Sequence, residues 1–319
     1  MRIEKLTPAF KDYLWGGVKL REIYGKDCDY AKVAESWELS THSAGQCKIV
    51  GGECDGMNLG DYIEKNGKAI LGTNCERFEN FPVLIKFIDA KDPLSIQVHP
   101  SDEFALEVEK EYGKTEMWYV MDCDEGASLY FGVNREITKD EFIERINNNT
   151  ILEVLNKVDV KKGDCFFIEA GTIHAIGAGI LICEIQQNSN TTYRVYDYDR
   201  RGADGKPREL HVEKAAMVSS FVPSDTEDKQ KAAEEIAGGT KKLLASCKYF
   251  TTEKYDSFDK VEIIADEKSF VSITVLDGEG KVVGAENEVA FRAADSVFVP
   301  ANAGKVTVEG KCSFIVTTV

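Results

Sequence analysis

Most of this sequence consists of short apolar runs separated by glycine, asparagine and aspartate. Runs of four to eight residues bounded by turn-forming residues are typical of β-strands, whereas an amphipathic helix repeats its apolar residues every three or four positions. The pattern therefore predicts a mainly β protein in which sheets dominate. Strand-like runs occupy residues 81–88, 117–121, 165–168, 180–185, 192–196, 261–264 and 270–276.

Helical segments are fewer, and their ends carry capping signals. Residues 58–67 end in a glycine, which favours helix termination, and residues 101–109 begin at a serine. A third helical segment is predicted from Thr138 to about Leu155, because Thr138 and Glu141 have the spacing of a capping box. We expect these helices to decorate the sheets.

The composition changes between Val222 and Gly239, where the sequence becomes polar and rich in helix-forming residues. Such a stretch is typical of a connector between domains. The chain of 319 residues is also longer than most single domains. We therefore predict one domain over residues 1–238 and a small C-terminal β domain over residues 239–319.

One stretch recurs in outline in both predicted domains. Residues 163–174 contain an acidic turn, a strand-like run and a turn of small residues, and residues 294–304 repeat that order. We therefore expect the two domains to share one fold. No histidine follows the second turn, so we expect a structural role for the C-terminal domain and no equivalent metal site in it.

The overall charge excludes some classes of partner. There are 39 basic and 55 acidic residues, giving a net charge of −16, which repels nucleic acid phosphates and anionic lipid surfaces. No apolar run reaches the roughly 18 residues that a membrane helix needs, and the first residues lack the apolar stretch of a signal peptide. We expect a cytoplasmic protein that binds neither nucleic acid nor membranes.

The nine cysteines occur singly, without any Cys-x-x-Cys pair. This distribution predicts free and mostly buried thiols. Cys165 and Cys183 lie near His174 and are alternative metal ligands, but both belong to apolar runs, where a cysteine usually packs as a small hydrophobic residue.

Two of the four histidines fall in strand-like segments with other metal-binding residue types. Gln97 and His99 are two positions apart, so on a strand they project from the same side and are able to bind one ion together. Pro93 and Pro100 confine this short strand and fix the two side chains relative to each other. The alternative is a surface glutamine beside a histidine satisfied in the core.

Glu116 shares a strand face with the apolar Trp118 and Val120. An inward carboxylate needs a cationic partner, because burying it unpaired is costly. A metal ion is one such partner, and Lys114 on the same face is the other. His174 follows a Gly-Thr-Ile turn, where a loop-to-strand junction presents a ligand to the mouth of a barrel.

The spacing around His174 resembles the second motif of the cupin superfamily. Gly163 is followed by five residues and then by Glu-Ala-Gly171-x-x-His174, with Glu169 at the usual position of a proline. Gln97, His99 and Glu116 resemble the first cupin motif, with glutamine replacing its first histidine.

Glutamine at that position, together with a Lys-x-Glu strand, is similar to the type I mannose-6-phosphate isomerases, which are zinc enzymes of the cupin superfamily. Residues 15–17, 35–38 and 186–197 agree with that family. The resemblance covers roughly residues 1–215. The interval from Glu116 to His174 is too short for the large helical insertion of long members, so the chain resembles the short bacterial form.

This resemblance implies a cupin catalytic domain, a double-stranded β-helix or jelly roll, followed by a smaller cupin-like β domain. It implies interconversion of mannose 6-phosphate and fructose 6-phosphate through a cis-enediol. It also implies one zinc ion per chain, held by Gln97, His99, Glu116 and His174.

The resemblance further implies substrate-facing residues. Arg194 matches the family's catalytic arginine, which suits a permanently charged group that stabilises an enediolate; the alternative is a surface arginine paired with Asp197 or Asp199. Lys114 matches the lysine of the family's Lys-x-Glu strand, which implies a catalytic and substrate-binding role; the alternative is a surface lysine packed along its stem. Lys86 interrupts an apolar run and is a further substrate-binding candidate, unless it is a surface lysine packed along its stem.

Other polar residues have less definite assignments. The base that moves the carbon-bound proton is either Glu184 or a zinc-bound water. The basic loop 200–208 is either an exposed turn or a phosphate contact, and His42 and His211 are expected to be structural.

Two rival functions stay open at this point. One is a cupin iron oxygenase, against which Gln97 argues, and the other is a non-catalytic cupin module for sugar binding or regulation, against which Arg194 and Lys114 argue. The expected partner is a small sugar phosphate, and the expected assembly is a monomer or a weak homo-oligomer.

Overall fold

The computed structural model describes residues 1–202, 205–224 and 232–319. The strands of this part of the chain belong to three antiparallel sheets of six, five and eleven strands. The prediction of a mainly β chain with helical decorations is confirmed.

The first thirteen strands lie between residues 4 and 196. They are β1 (Glu4–Thr7), β2 (Ala9–Lys11), β3 (Glu35–Leu39), β4 (Lys48–Val50), β5 (Val83–Ala90), β6 (Ile96–Val98), β7 (Glu116–Cys123), β8 (Ser128–Val133), β9 (Leu155–Asp159), β10 (Cys165–Ile168), β11 (His174–Ala175), β12 (Ile180–Gln187) and β13 (Tyr193–Tyr196). One sheet has the order β10-β7-β12-β5-β3-β2, and a second has the order β13-β6-β11-β8-β9.

These two sheets face each other across a shared apolar core. Trp118 and Ile182 of the six-stranded sheet belong to the same buried cluster as Leu129 and Phe131 of the five-stranded sheet. Two antiparallel sheets packed in this way form a jelly roll. We call the space between them the barrel.

The six-stranded sheet is buried on both faces. Every residue of β5 and β12 is buried, and the alternate residues Ile85 and Phe87 pack outward against Phe270 and Phe298 of the C-terminal part. Burial on both faces explains why these strands read as nearly continuous apolar runs. A charged residue inside such a run therefore points to a special site.

The C-terminal part contains the third sheet. Its strands are β14 (Glu234–Ile236), β15 (Gly239–Ser246), β16 (Thr251–Ser257), β17 (Lys260–Ala265), β18 (Val271–Val283), β19 (Glu288–Arg292), β20 (Ser296–Val299), β21 (Gly304–Glu309) and β22 (Cys312–Thr318). The main order is β14-β15-β16-β22-β18-β20-β1-β4, with β17 on β21, and β19 and β21 on β18. The long strand β18 curves through both layers of a small second sandwich, whose core is apolar.

The N-terminus is part of this C-terminal sheet, since β1 pairs with β20 and β4 pairs with β1. Strands β14 and β15 form a hairpin across the predicted boundary at residue 238. Part of the predicted polar connector forms strand β14 rather than a helix. Residues 225–231 of the connector lie outside the described part of the chain. The division at 238/239 stays a prediction.

Within the described residues, five short α-helices cover the sheets. They are α1 (Lys19–Glu22), α2 (Leu59–Asn66), α3 (Asp102–Val108), α4 (Lys139–Asn147) and α5 (Val212–Val218), with 3₁₀ turns at Gly52–Cys54, Lys68–Leu71, Thr73–Cys75 and Ile151–Val154. Gly67 and Ser101 cap α2 and α3 as predicted. The helix from Thr138 is shorter than expected, because Asn149 has a φ of 60° and ends the regular segment.

All nine cysteines lie in the described part of the chain and none forms a disulfide there, as predicted; each is buried or half-buried. Cys183 and Cys165 pack in the core between the six-stranded sheet and the C-terminal part. Among the described residues, no helix has the length and apolar character needed to cross a membrane.

Candidate metal centre

A row of polar side chains crosses three strands of the five-stranded sheet. His174 on β11 pairs with Gln97 on β6, and Gln97 pairs with Arg194 on β13. Directly paired residues of an antiparallel sheet lie on the same face. His99 is two positions after Gln97 and projects from that face too. The register therefore brings together two motifs that are far apart in the sequence.

Glu116 meets these residues from the facing sheet. It begins β7, is fully buried and pairs with Gln186 of β12. Its Oε1 lies 3.4 Å from His174 Nε2, and its Oε2 lies 3.7 Å from His99 Nε2. The carboxylate thus lies between the two imidazoles inside the barrel.

The spacing of these atoms is suitable for a metal ion. The candidate ligand atoms of His99, Glu116 and His174 all lie within 4.8 Å of one another. Ligands about 2.0–2.1 Å from a tetrahedral zinc are roughly 3.3–3.4 Å apart. Gln97 Nε2 lies 3.3 Å from His174 Nε2, and a half-turn of the amide presents its oxygen there instead. The donor set fits a cation at this point.

Each imidazole is oriented through its other ring nitrogen. His99 Nδ1 donates to the Thr191 carbonyl at 2.9 Å, and His174 Nδ1 donates to the Thr172 carbonyl at 2.8 Å. Nε2 of each ring is therefore left as the lone-pair donor. Burial lowers the pKa of His174 to about 4; burial and the Lys114 charge hold the pKa of His99 well below its usual range. Both rings are neutral at pH 7, the form that binds metals.

The Glu116 carboxylate lacks hydrogen-bond partners that its burial requires. Neither oxygen accepts a well-aligned hydrogen bond from the described residues. Burial, and then the charge of Glu184, raise the pKa of Glu116 to about 7. A cation that contacts both oxygens would keep this carboxylate ionised.

Lys114 is the cation that lies closest to these ligands. Its Nζ lies 2.9 Å from Glu116 Oε2, 3.1 Å from His99 Nε2 and 4.0 Å from Glu184 Oε1. Burial lowers the pKa of Lys114, but the charges of Glu116 and Glu184 outweigh burial and raise it. The two partners suggested for Glu116 by the sequence, a lysine and a metal, therefore compete for one position.

A second polar group crosses the six-stranded sheet next to the ligands. The register aligns Trp118, Glu184, Lys86 and Trp37 across β7, β12, β5 and β3. Lys86 Nζ lies 3.5 Å from Glu184 Oε1 and 3.7 Å from Glu35 Oε2. The Trp118 indole N–H donates to Glu184 at 2.9 Å, and the Trp37 indole N–H donates to Glu35 at 2.6 Å.

These contacts keep Glu184 charged. Burial raises its pKa, but Lys114 and Lys86 outweigh that effect and lower it. Its Oε1 has no aligned hydrogen-bond donor among the described residues. Glu184 is thus an ionised carboxylate with one oxygen available inside the barrel.

Lys86 is buried inside the barrel, so the alternative interpretation of this residue as a surface lysine is wrong. Sequence reasoning assigned no role to Glu35 or Trp37, although both belong to the segment 35–38. Their position two residues apart, on one strand face, was the available signal.

Arg194 lies beside Gln97 in the register, but its guanidinium is not in the ligand cluster. Its Nη1 donates to the Glu209 carbonyl at 2.9 Å, and its buried Nε has no hydrogen-bond partner in the described residues. Burial and then the nearby Arg208 lower its pKa. The unpartnered Nε is able to bind a further acceptor.

Asp197 pairs with Arg200 and Arg208 rather than with Arg194. The basic loop is therefore folded back onto its own strand end, with residues 203–204 outside the described part. Arg194, Arg200 and Arg208 nevertheless gather three positive charges around one carboxylate.

The other two histidines lie outside the cluster. His211 Nδ1 accepts a hydrogen bond from the Arg194 backbone N–H at 3.1 Å. His42 lies 3.2 Å from Glu111 Oε1, and its ring meets Trp37 edge-on. Cys165 and Cys183 do not join the group of potential ligands that the described residues form.

Comparison with known proteins identifies two matching family models. Residues 3–128 match the model of the phosphomannose isomerase type I catalytic domain. Residues 240–319 match the model of the mannose-6-phosphate isomerase cupin domain. The similarity thus continues beyond residue 215, where the sequence motifs had suggested that it ended.

Similar proteins span nearly the whole chain. Mannose-6-phosphate isomerase ManA of Bacillus subtilis is 37% identical over 311 residues, covering 97% of this chain and 96% of its own. The mannose-6-phosphate isomerase of Streptococcus mutans is 35% identical over 90% of this chain and 89% of its own. The crystal structure of a Bacillus subtilis mannose 6-phosphate isomerase superposes with a TM-score of 0.92 at 33% identity, with each chain fully covered.

Proposed function

The chain belongs to the type I phosphomannose isomerase family, and on that premise we propose that it interconverts mannose 6-phosphate and fructose 6-phosphate with zinc, through a cis-enediol. The observation that carries this proposal is the meeting of His99, Glu116 and His174 in a buried centre, next to the ionised Glu184. A metal site beside a charged carboxylate suits a proton shift on a sugar next to its carbonyl.

We assign the zinc ligands to Gln97, His99, Glu116 and His174, with one ion per chain. Two neutral imidazoles, a carboxylate and an amide oxygen are donors that zinc accepts. The buried Glu116 carboxylate faces both imidazoles and has the Lys114 ammonium 2.9 Å from its Oε2, which supports a cation at this point. When bound there, zinc supplies a Lewis acid that polarises sugar oxygens and stabilises negative charge on them.

Lys114 has to leave its position among the ligands when the metal is bound. An ammonium and a divalent cation repel each other strongly at a separation of about 3 Å in a buried site. Glu184, whose Oε1 is 4.0 Å away, offers the lysine an alternative partner. We assign Lys114 to binding the substrate there and to exchanging protons with sugar oxygens.

The proton between C1 and C2 needs a carrier that is ionised and can be reached from within the barrel. Glu184 meets both conditions, because the Trp118 N–H bonds its Oε2, while its Oε1 accepts no aligned hydrogen bond from the described residues and lies 3.5 Å from Lys86 Nζ and 4.0 Å from Lys114 Nζ. We propose that Glu184 takes this proton from one carbon and returns it to the other. Removing the C2 proton from open-chain mannose 6-phosphate gives the cis-enediolate, and a proton given to O1, which we assign to Lys114, makes it the cis-enediol.

Two further cations complete the assignment. Arg194 has an unpartnered Nε on a side chain that shares the face of Gln97, and a guanidinium stabilises an enediolate without losing its own proton. Lys86 is assigned to substrate binding, and it also neutralises Glu35 and Glu184.

The rival functions predict different reactions at the same centre. An iron oxygenase consumes oxygen with iron, and a non-catalytic cupin module binds a sugar without converting it. The membership of the family and the Gln97 amide favour the isomerase. The separate assignment of residues 1–238 and 239–319 to a catalytic and a structural domain is part of the proposal.

A coupled assay with mannose 6-phosphate on metal-stripped and zinc-restored protein tests the function. We expect little turnover after stripping and full turnover after zinc is restored. Absence of turnover with zinc bound would refute the isomerase, and oxygen uptake with iron would support the oxygenase.

The cellular setting is also a proposal. Sugar phosphates carry charges that keep them from crossing membranes, so an enzyme that converts them is expected in the cytoplasm. We propose a small sugar phosphate as the partner, and a monomer or weak homo-oligomer as the assembly.

A further inference from the structure

One carboxylate from another segment of the chain accepts hydrogen bonds from the loop between β12 and β13. Glu111, in the segment between α3 and β7, accepts hydrogen bonds at Oε2 from the Ser189 hydroxyl at 3.3 Å, the Asn190 backbone N–H at 3.2 Å and the Thr191 hydroxyl at 3.0 Å. Three donors from consecutive residues therefore converge on one oxygen.

The second oxygen of Glu111 fixes the carboxylate from the opposite side. The Ala44 backbone N–H donates to His42 Nδ1 at 3.0 Å, so His42 Nε2 carries the ring proton and donates to Glu111 Oε1 at 3.2 Å. Burial alone would raise the pKa of Glu111, but the donors around it outweigh burial and lower it. The carboxylate is thus ionised and held on both oxygens.

Hydrogen bonds within the loop also fix its conformation. The Gln186 amide donates to the carbonyls of Gln187 and Ser189, at 2.7 and 2.6 Å. The Thr191 backbone N–H donates to Ser189 Oγ at 3.2 Å. Thr191 is therefore positioned through Ser189 and through Glu111.

Thr191 is the residue whose carbonyl orients His99. The His99 Nδ1–H bonds this carbonyl at 2.9 Å, and the bond leaves Nε2 directed at Glu116 and His174. His174 is oriented by the Thr172 carbonyl, which belongs to a different loop. The two ligand histidines are thus oriented by different carbonyl groups. Of these two groups, only the Thr191 carbonyl belongs to a residue that hydrogen-bonds Glu111.

We propose that Glu111 is a positioning residue for the metal centre, which acts through Thr191 to hold the His99 ring in its ligand orientation. The inference rests on the proposed function, because it assumes that His99 binds the metal. Partners of this kind typically change metal affinity by about 10–100-fold when they are removed.

The test compares Glu111→Gln with Glu107→Gln. Glu111→Gln keeps the size and one acceptor oxygen, but its amide group cannot accept all the bonds that the carboxylate accepts. Glu107→Gln removes the same charge from the exposed face of α3 and serves as the matched control. Zinc Kd is measured by chelator competition, and exchange of the imidazole Nδ1–H protons is measured by NMR on metal-free protein.

We expect Glu111→Gln to weaken zinc binding about tenfold. In the metal-free protein it should speed exchange of the His99 Nδ1–H about tenfold or more and leave the His174 Nδ1–H unchanged, and Glu107→Gln should do neither. The proposal is overturned if the His99 Nδ1–H exchanges at the wild-type rate. It is also overturned if exchange of both ring protons is faster by the same factor and the Tm is lower, because that result indicates general destabilisation.

The two proposals fail in different ways. If wild-type protein binds no zinc, the proposed function fails, but the comparison of ring protons still reports whether Glu111 orients His99. If zinc binds and Glu111→Gln leaves both measurements at their wild-type values, the positioning role alone is refuted.

Discussion

The two sandwiches of this chain have the same kind of β architecture but opposite interiors. Between the two sheets of the barrel lie the buried charges of Lys86, Lys114, Glu116 and Glu184. The core of the C-terminal sandwich is mainly apolar, with Val261, Ile273, Val297 and Val306 among its side chains, and the buried polar residues of the segment 232–319 are serines and threonines. Buried charges cost stability unless they are paired, whereas apolar burial supplies it. The difference separates the region that we propose for the chemistry from the region that we propose stabilises the fold.

The recurring segment shows the same contrast at single positions. Residues 163–174 end in His174, which lies in the ligand cluster, and residues 294–304 contain β20 and a turn without histidine. In the C-terminal copy, Val297 and Val299 pack in the apolar core. One sequence pattern thus occurs beside two different interiors.

The largest effect is expected from removing a ligand charge in the barrel. Glu116→Gln keeps the side-chain volume but removes the charge that would hold zinc, so kcat/KM should fall at least about 10³-fold and bound zinc should fall as well. Zinc content and turnover check this prediction. Glu125→Gln, an exposed change in the loop after the same strand, is the control and should have no effect; an active Glu116→Gln enzyme would contradict the ligand role.

A substitution in the C-terminal core should have the opposite effect, lowering the stability of the fold and leaving the activity unchanged. Phe314 is fully buried and stacks on Tyr255 with 5.3 Å between ring centroids. Phe314→Ala should lower the free energy of unfolding by about 3–5 kcal/mol because it leaves a cavity. Turnover per folded molecule should stay near the wild-type value, as measured by denaturant titration and assay below the unfolding transition. A loss of kcat without a loss of stability would contradict the proposal that the C-terminal core stabilises the fold and takes no part in the chemistry.

Arg194→Ala sharpens the comparison within the barrel, because it separates chemistry from metal binding. We expect kcat to fall about 10²–10³-fold through loss of a positive charge near the enediolate, while zinc remains near one per chain. Metal analysis alongside kinetics checks both parts. Wild-type activity, or loss of the metal, would contradict the catalytic assignment.

A smaller effect is expected from Asp197, a buried carboxylate that follows β13 and lies outside the ligand cluster. Burial raises the pKa of Asp197, but Arg208 and Arg200 outweigh it and hold the pKa below its usual value. A lowered folded pKa gives stability that is present above the unfolded value of about 3.9 and is lost as the pH falls through the folded value. Asp197→Asn should cost about 1–2 kcal/mol at pH 7 in metal-free protein.

That cost should shrink in acid, because the stabilisation is lost as the pH falls below the unfolded pKa toward the lowered folded pKa of Asp197. Urea titrations of the two proteins at pH 7 and near pH 3 test the sign. A difference between them that grows as the pH falls would show that the arginines do not stabilise the ionised form.

The sequence was sufficient for the parts of the site that depend on local geometry. Gln97 and His99 share a face because strand side chains alternate, and Glu116 points inward for the same reason. The meeting of Glu35 with Lys86 depends on the pairing of β3 with β5, which residue spacing does not reveal. The Thr191 carbonyl that orients His99 is a backbone atom, and any residue type provides one.

The fold was predictable to a similar extent. Short apolar runs indicated the strands, and capping residues indicated three helices. The pairing of β1 with β20 joins segments nearly 300 residues apart, and no local pattern at either end specifies it. The left-handed Asn149 ended a helix that its capping box had correctly begun.

The central claim is that the polar interior of the barrel is a zinc-dependent isomerase site, and a stoichiometric zinc titration tests it most directly. Turnover of mannose 6-phosphate by metal-stripped protein is measured as zinc is added in known ratio to the chain. We predict that activity rises in proportion to zinc and reaches its plateau at one ion per chain. Full activity in the stripped protein, or no activity at the plateau of zinc binding, would contradict it.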